Sequence, residues 1–167
     1  MTPAEVLIDA LNRTAEGADE LLDGLSDDDL AHRPTAEANS IAWLAWHIAR
    51  VQDDHVAGVA GLEQVYTAQG FAKRFGFPFD DRAVGYGHSS DEVAEVRAPA
   101  GLLLEYLRAV HAQNVAWIGT VSEADLDRVV DERWDPPVTL GVRLVSVADD
   151  SAQHLGQAAY VKGMLGR

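Results

Sequence analysis

The sequence predicts an all-α protein, a four-helix bundle formed by a single domain over residues 1–167. Three observations support this prediction. Four long stretches repeat apolar residues at a spacing of three and four positions, which is the period of an amphipathic helix. Residues that favour helix starts stand at the beginning of these stretches. A chain of 167 residues with 47% hydrophobic residues is also long enough to bury a sizeable core.

The first predicted helix begins within residues 2–5, which read Thr-Pro-Ala-Glu. Threonine is a favourable N-cap, proline fits the first helical position, and the glutamate three residues after the cap completes a capping box. The apolar residues that follow keep the helical spacing as far as Leu22, and the helix should end near Gly24.

The second predicted helix begins at Asn39 or Ser40 and ends at Gly61, because glycine commonly terminates helices. The third begins at Ser89, where Glu92 completes another capping box, and extends as far as residue 119. Pro99 lies early in this third helix or breaks it, since proline lacks the backbone N–H that a helix interior needs.

The fourth predicted helix runs from about Thr139 to Met164, and a strand is its competitor. Residues 138–145 partly alternate between apolar and polar, which is the strand pattern. However, the helical spacing continues from Leu140 to Ala158, which is longer than the roughly 10 residues of a long strand. We therefore favour a helix.

The connection between the second and third helices, residues 62–88, is a long aromatic-rich loop. It contains all four phenylalanines of the chain together with Tyr66 and Tyr86. Structureless connections longer than about 12–15 residues are uncommon, and a segment so rich in aromatic residues is unlike a disordered one. Two compatible interpretations remain open. The loop is a plug that closes one end of the bundle, or it forms the wall of a pocket beside an active site.

Composition excludes several classes of function. The formal net charge is -14, with 27 acidic and 13 basic residues, which argues against binding to nucleic acid or to an anionic membrane surface. The N-terminus lacks the basic and apolar regions of a secretory signal, so we expect a cytoplasmic protein. The chain has no cysteine, so any metal must be held by histidine and carboxylate, and any reacting thiol must come from another molecule.

Three residues are candidate metal ligands: His47 in the second helix, and Asp150 and His154 in the fourth. Asp150 and His154 are four residues apart, so they leave the same helix face. Asp149, by contrast, points about 140° away from His154 on the helical wheel. A buried carboxylate beside an imidazole needs compensation, which either a metal ion or an Asp–His hydrogen bond would provide. Two nitrogens and one oxygen suit Zn²⁺ with an open position, and they also suit Fe²⁺ or Ni²⁺.

Arg50 and Asp54 are candidate substrate-binding residues on the same helix as His47. Arg50 lies one turn after His47 and is the obvious clamp for an anionic group, although a surface ion pair with Asp53 or Asp54 is an equal alternative. Asp54 lies about 10 Å along the helix from His47, too far to share a metal ion but able to line a pocket.

The other four histidines are weaker candidates. We expect His32 and His111 to be solvated, because both lie among polar residues. His55 and His88 are ambiguous, and His88 could reach the site because it follows the aromatic-rich loop.

Three segments of the chain together resemble a known family. They are NSIAWLAWHIARVQDDHVAG, RFGFPFDDRAVGYGHSSDEV and WDPPVTLGVRLVSVADDSAQHLGQAAYVKG. They are similar to the DinB-like superfamily, and more narrowly to its mycothiol-linked branch, which is related to the metal-binding domain of mycothiol-dependent maleylpyruvate isomerase. The resemblance implies a four-helix bundle with a divalent metal held by His47, Asp150 and His154. Many members carry histidine or glutamate in the place of Asp150, and aspartate is shorter than glutamate by one methylene.

The resemblance also implies an activity: metal-dependent S-transfer, with zinc as the expected metal and mycothiol as the thiol cosubstrate. Isomerase activity is not carried over, because the chain ends at Arg167, before the C-terminal domain of that enzyme. The alternative is a non-catalytic bundle that binds a metal or a small molecule. We also expect a homodimer, because Trp43, Trp46 and Trp117 cannot all face one bundle core.

Overall fold

The computed structural model describes residues 1–167 and is all-α apart from one short pair of strands. Its helices are α1 (Pro3–Leu22), α2 (Asp27–Ala31), α3 (Ile41–Ala60), α4 (Val65–Ala68), α5 (Phe71–Phe75), α6 (Ser90–Glu95), α7 (Ala100–Ile118) and α8 (Leu140–Met164). A 3₁₀ turn at Glu123–Asp127 precedes the two strands, β1 (Val129–Asp131) and β2 (Val138–Thr139). None of the helices combines the length and the apolar character that crossing a bilayer requires.

The four long helices α1, α3, α7 and α8 form the predicted four-helix bundle. Helix α3 packs against α7 and α8, and α1 packs against the same two helices on the opposite side. Helices α1 and α3 are therefore diagonal to each other, and α3 lies directly beside α8. This arrangement places the second and fourth predicted helices in contact, as a site shared between them requires.

The predicted helix starts are confirmed by the caps. Thr2 caps α1 with a complete capping box, and the Ser40 hydroxyl accepts a hydrogen bond from the Trp43 amide at the start of α3. Thr139 caps α8 in the same way. Gly61 is the C-cap of α3, and its φ of 67° lies in the left-handed region that glycine adopts without strain.

Two predicted elements differ in detail from the structure. The third predicted helix is two helices, because Pro99 breaks it: α6 ends at Glu95 and α7 begins at Ala100 with Pro99 as its N-cap. The strand predicted as a competitor of the fourth helix also forms, but only over the two residues of β2, which pairs antiparallel with β1. The chain turns from strand to helix between Thr139 and Leu140.

The aromatic-rich loop, which contains the short helices α4 and α5, folds onto α3 and α7. Tyr66 and Phe71 are buried, and the Phe71 ring lies 5.0 Å from the Tyr106 ring of α7 between centroids. Phe77 meets Trp46 of α3 edge-on at 5.7 Å. The loop is thus part of the main core, as the plug interpretation expects, and its later residues reach the pocket described below.

This packing overturns the premise of the dimer prediction. Trp43 and Trp46 are both buried, because the loop covers the faces of α3 that the bundle leaves open. Trp117 is half-buried. The tryptophans therefore do not leave the exposed apolar face that we expected.

Candidate metal centre and its cavity

The structure brings together the three predicted ligands. His47 projects from α3 towards α8, which carries Asp150 and His154 one turn apart. One potential ligand atom from each residue lies within 4.8 Å of the other two. His47 Nε2 is 4.0 Å from Asp150 Oδ2, and His154 Nε2 is 3.4 Å from Asp150 Oδ1. Ligand atoms around a tetrahedral zinc ion are about 3.3–3.6 Å apart, so only small side-chain movements are needed.

Hydrogen bonds orient both imidazoles. His47 Nδ1 makes a short hydrogen bond to the Val84 carbonyl oxygen, which can only accept, so this nitrogen carries the proton. His154 Nδ1 lies 3.0 Å from Gln157 Oε1 and is a donor for the same reason. Each histidine therefore presents its other nitrogen, Nε2, to Asp150. Such partners on the non-ligating nitrogen are typical of metal-binding histidines.

The surroundings shift the pKa values of the three residues in different directions. Burial lowers the pKa of His47, against the effect of the Val84 carbonyl, which raises it. The Asp150 carboxylate, as hydrogen-bond acceptor, raises the pKa of His154 above its ordinary value. Burial raises the pKa of Asp150, but the two histidines outweigh burial and the net shift is downwards. Asp150 is therefore ionised near neutral pH.

The residues present fit a divalent metal ion. Asp150 Oδ2 is buried and has no hydrogen-bond partner, which is costly for a carboxylate oxygen. The distance of 3.4 Å between Asp150 Oδ1 and His154 Nε2 is longer than the about 2.7–2.9 Å of a charge-assisted hydrogen bond. A hydrogen bond that orients His154 therefore does not fully explain why a carboxylate is placed here. A cation between the three side chains would satisfy Oδ2 and both Nε2 atoms.

A cavity of about 510 Å³ opens beside His47 and Asp150. Its walls come from α3, from α8, from the end of the aromatic-rich loop and from the segment between β1 and β2. Half of the lining residues are hydrophobic. Tyr86 and Trp134 line it with exposed fractions of 92% and 65%, which is unusual for such large aromatic residues. A pocket wall was one of the two interpretations of the loop, and Val84 and Tyr86 provide it.

A charged cluster also lines the cavity, and His55 is the one member that was among the histidine candidates of the sequence. Arg143 of α8 donates to Asp131 at 3.1 Å, and its Nη1 lies 3.0 Å from His55 Nδ1. Arg133 pairs with Asp131 through two further side-chain hydrogen bonds. Hydrogen bonds from these arginines hold the pKa of Asp131 far below its usual range, and burial together with the Arg143 charge lowers the pKa of His55.

A signal for Arg143 was available in the sequence. It precedes Asp150 by seven residues, so the two lie about 20° apart on the helical wheel and two turns apart along α8. His55 follows His47 by eight residues, and Val51 between them lines the same cavity. His55 Nδ1 also lies 3.7 Å from Asp54 Oδ2.

The two predicted substrate-binding residues lie elsewhere. Arg50 is 0% exposed, and protein acceptors surround its guanidinium, so it does not line the cavity beside His47. It forms an ion pair with Asp53 at 3.5 Å, the partner that the alternative named, but this pair is fully buried and not at the surface as predicted. Asp54 accepts a hydrogen bond from Gln64 and lines a neighbouring depression with His55 and Arg143.

The burial of the remaining histidines agrees only in part with the prediction. His32 is exposed, as predicted. His111 is half-buried rather than solvated: its Nδ1 is buried without a partner, and burial lowers its pKa. His88 accepts a hydrogen bond from Trp43 Nε1 at 3.2 Å and stacks on Trp46, so it packs behind the tryptophan that covers His47.

The all-α bundle and the family match together define a protein of the DinB-like, mycothiol-linked group, as the sequence motifs indicated. The profile of the Mycothiol-S-transferase family matches residues 6–165, and the chain belongs to this family. A solved structure, the "conserved protein of locus from Enterococcus faecalis", is 30% identical with a TM-score of 0.93, covering 100% of this chain and 99% of that chain. No curated protein matches the sequence.

Proposed function

We propose that this protein is a metal-dependent S-transferase, which joins the thiol of mycothiol or a related small thiol to a small electrophile. One observation carries the proposal. In a chain of the Mycothiol-S-transferase family, two imidazole nitrogens and an unpartnered carboxylate oxygen converge beside a cavity large enough for small molecules.

His47, Asp150 and His154 are the proposed ligands, and zinc is the proposed metal, with Ni²⁺ and Fe²⁺ as alternatives. When bound, the metal would supply Lewis acidity, which favours the thiolate form of a thiol whose ordinary pKa is about 8.5. Three protein ligands leave a position open for that thiol. The protein needs this external nucleophile because it has no cysteine of its own.

The other cavity residues have roles that follow from their chemistry. Val51, Val84 and Val147 provide an apolar wall that limits access of water to the reacting groups. Arg143 and His55 place hydrogen-bonding groups in the cavity wall. Arg143 is therefore the proposed clamp for an anionic group in place of Arg50. Tyr86 and Trp134 offer exposed aromatic faces to the body of a substrate.

The test is a conjugation assay with matched histidine variants. We expect the purified wild type to carry close to one zinc ion per chain and to conjugate mycothiol to chloro-dinitrobenzene. His154→Ala should lose both metal and activity, because it removes one of three ligands. His32→Ala changes an exposed histidine and should lose neither.

Two results would contradict the proposal. A wild type that refuses added Zn²⁺, Ni²⁺ and Fe²⁺ would remove the metal centre. A fully metallated protein without turnover of mycothiol, glutathione, bacillithiol or coenzyme A would favour the non-catalytic binding bundle.

A further inference from the structure

We propose that Gly85 and Arg50 are positioning residues, which act through the backbone of residues 81–85 to hold the His47 imidazole in one tautomer and one orientation. The tautomer carries its proton on Nδ1 and leaves Nε2 free towards Asp150 and His154. The consequence for metal affinity rests on the proposed function. The tautomer itself is a property of the metal-free chain.

Gly85 permits the close approach on which this arrangement depends. Its φ is 95°, a backbone conformation that other residues rarely adopt. A Cβ atom here would lie 2.9 Å from His47 Nδ1 and 2.8 Å from Trp43 Cζ2. Both atoms belong to rings that stack on each other at 4.6 Å between centroids, so neither can move aside easily. Glycine is therefore required where the backbone delivers the Val84 carbonyl to His47.

Arg50 anchors the same backbone from the side of α3. Its Nε donates to the Ala83 carbonyl at 2.9 Å and its Nη2 to the Asp81 carbonyl at 3.1 Å. A guanidinium is a rigid planar fork without acceptor capacity, so it fixes the positions of two carbonyls at once. Ala83 directly precedes Val84. Arg50 is three residues after His47, so the histidine and the anchor of its hydrogen-bond acceptor share one rigid helix.

The guanidinium itself is held in place by a buried network. Asp53 lies 3.5 Å from Arg50 and balances its charge. Asp53 in turn accepts hydrogen bonds from the amides of Val65 and Tyr66 and from the Tyr106 hydroxyl. Arg50 also donates to the Tyr106 hydroxyl at 3.2 Å. Residues of α3, α4 and α7 therefore hold Arg50 together. Through Arg50 they restrain the backbone that carries the Val84 carbonyl, which accepts the hydrogen bond from His47.

A neutral imidazole can carry its proton on either nitrogen, and a metal can bind only the one that is free. Without the Val84 carbonyl, His47 would spend part of its time with Nε2 protonated and would rotate more freely. Partners that orient ligating histidines typically change metal affinity about 10–100-fold when they are lost. The backbone clamp would thus contribute to affinity although neither Gly85 nor Arg50 touches the metal.

The decisive comparison is Gly85→Ala against Gly87→Ala. Gly87 lies in the same loop and also has a positive φ, of 76°, but a Cβ added there meets no atom within 4 Å. Both variants carry the backbone strain of alanine at positive φ, and only Gly85→Ala pushes the backbone away from His47. The first measurement is ¹⁵N NMR of the imidazole nitrogens in metal-free protein at pH 8, which distinguishes the two tautomers. The second is zinc affinity by chelator competition.

We expect wild type and Gly87→Ala to show the Nδ1–H tautomer of His47 and equal zinc affinities. Gly85→Ala should show a mixture of tautomers and bind zinc about 10–100-fold more weakly. Arg50→Lys keeps a charge beside Asp53 but cannot reach both carbonyls, so it should change the tautomer in the same direction if it folds. If Arg50→Lys does not fold, the two glycine variants still decide.

A Gly85→Ala protein that keeps both the Nδ1–H tautomer and the wild-type affinity would overturn the inference. Failure of the proposed function has a different signature. In that case the wild type itself binds no zinc, while the NMR comparison of tautomers still tests the clamp.

Discussion

Asp150 combines several unusual properties for a single carboxylate. It lies between two histidines, about a third of its side chain is exposed, and yet its Oδ2 atom is buried without a partner. A carboxylate that only oriented His154 would be expected to approach it more closely than 3.4 Å. A metal ion held by Asp150 and by the Nε2 atoms of both histidines would explain the position of Asp150 better.

The first prediction compares Asp150→Asn with Asp149→Asn. Asparagine keeps the shape of aspartate but removes the negative charge. Loss of a residue that only orients a ligand typically weakens metal binding about 10–100-fold, and Asp150→Asn should weaken zinc binding by more than this. Asp149 is exposed and accepts a hydrogen bond from Gln153, so its variant should bind zinc normally. Chelator competition measures both. Equal affinities in the two variants would show that Asp150 is not a ligand.

The second prediction concerns pH. Protons and metal compete for the Nε2 atoms, so zinc affinity should fall as the pH decreases. Asp150 raises the pKa of His154, whereas burial lowers that of His47, so His154 is the first of the two to be protonated. The loss of affinity should therefore begin above the ordinary histidine pKa of about 6.5. A zinc affinity that stays constant from pH 8 to pH 6, measured by competition titration, would contradict this.

At the scale of elements, one face of α8 carries both the candidate ligands and Arg143, while β1 supplies the Asp131 carboxylate that holds Arg143. The short strand pair thus matters mainly because it places Asp131 and the exposed Trp134 at the cavity. Helix α3 contributes His47 and His55 to the same space. The site is therefore formed where two bundle helices and two connections meet, which is a common place for small-molecule sites.

The third prediction is that Arg143→Gln lowers kcat/KM for thiol transfer and leaves the metal content unchanged. A hydrogen bond to a charged group contributes about 1.5–3 kcal/mol, so its loss should lower kcat/KM roughly tenfold or more. The pKa of His55 should rise as well, because burial remains but the positive charge that lowers this pKa is gone. NMR titration of His55 measures this shift independently of activity.

Arg108→Gln is the matched control for Arg143→Gln, since Arg108 forms an exposed ion pair with Asp19 and does not line the cavity. It should change neither the kinetics nor the His55 titration. An Arg143→Gln enzyme with the same kcat/KM as this control would show that Arg143 has no part in substrate binding.

At the scale of the whole molecule, the fourth prediction links metal binding to stability. Zinc that binds the folded chain and not the unfolded one stabilises it, by about 2.7 kcal/mol at a free concentration one hundred times the Kd. Calorimetry should therefore give a higher Tm with zinc than with a chelator for the wild type and for His32→Ala. His154→Ala should show the same Tm in both conditions, and a zinc-dependent increase in that variant would place the metal elsewhere.

The homodimer stays a prediction, and light scattering tests it. The tryptophans of α3 no longer support it, because the loop covers them. Exposed apolar side chains remain around the cavity mouth, at Tyr86, Trp134 and Val142, and such clusters often mark interaction sites. We expect twice the mass of one chain at high concentration. A strict monomer would end this prediction.

The sequence by itself determined the four-helix bundle and supplied the three candidate ligands. Periodicity, capping residues and glycine stops are local signals, so they place the ends of α1, α3 and α8 without knowledge of the fold. The spacing of Asp150 and His154 determines that they share a helix face. His47 on another bundle helix is a candidate from the sequence, and the family resemblance implies the same three residues. Pro99 was recognised as a possible break, but local chemistry alone did not choose between a break and an early helical position.

Only the tertiary structure decided what the charged residues do. Arg50 and Arg143 look alike in the sequence, since each lies on a helix near a candidate ligand. Arg50 faces the carbonyls of residues 81–83 and is fully buried, whereas Arg143 faces the cavity. The difference depends on how each helix is rotated against its neighbours and on where a long loop comes to rest. These are set by packing between residues far apart in the chain, which spacing along one helix does not encode.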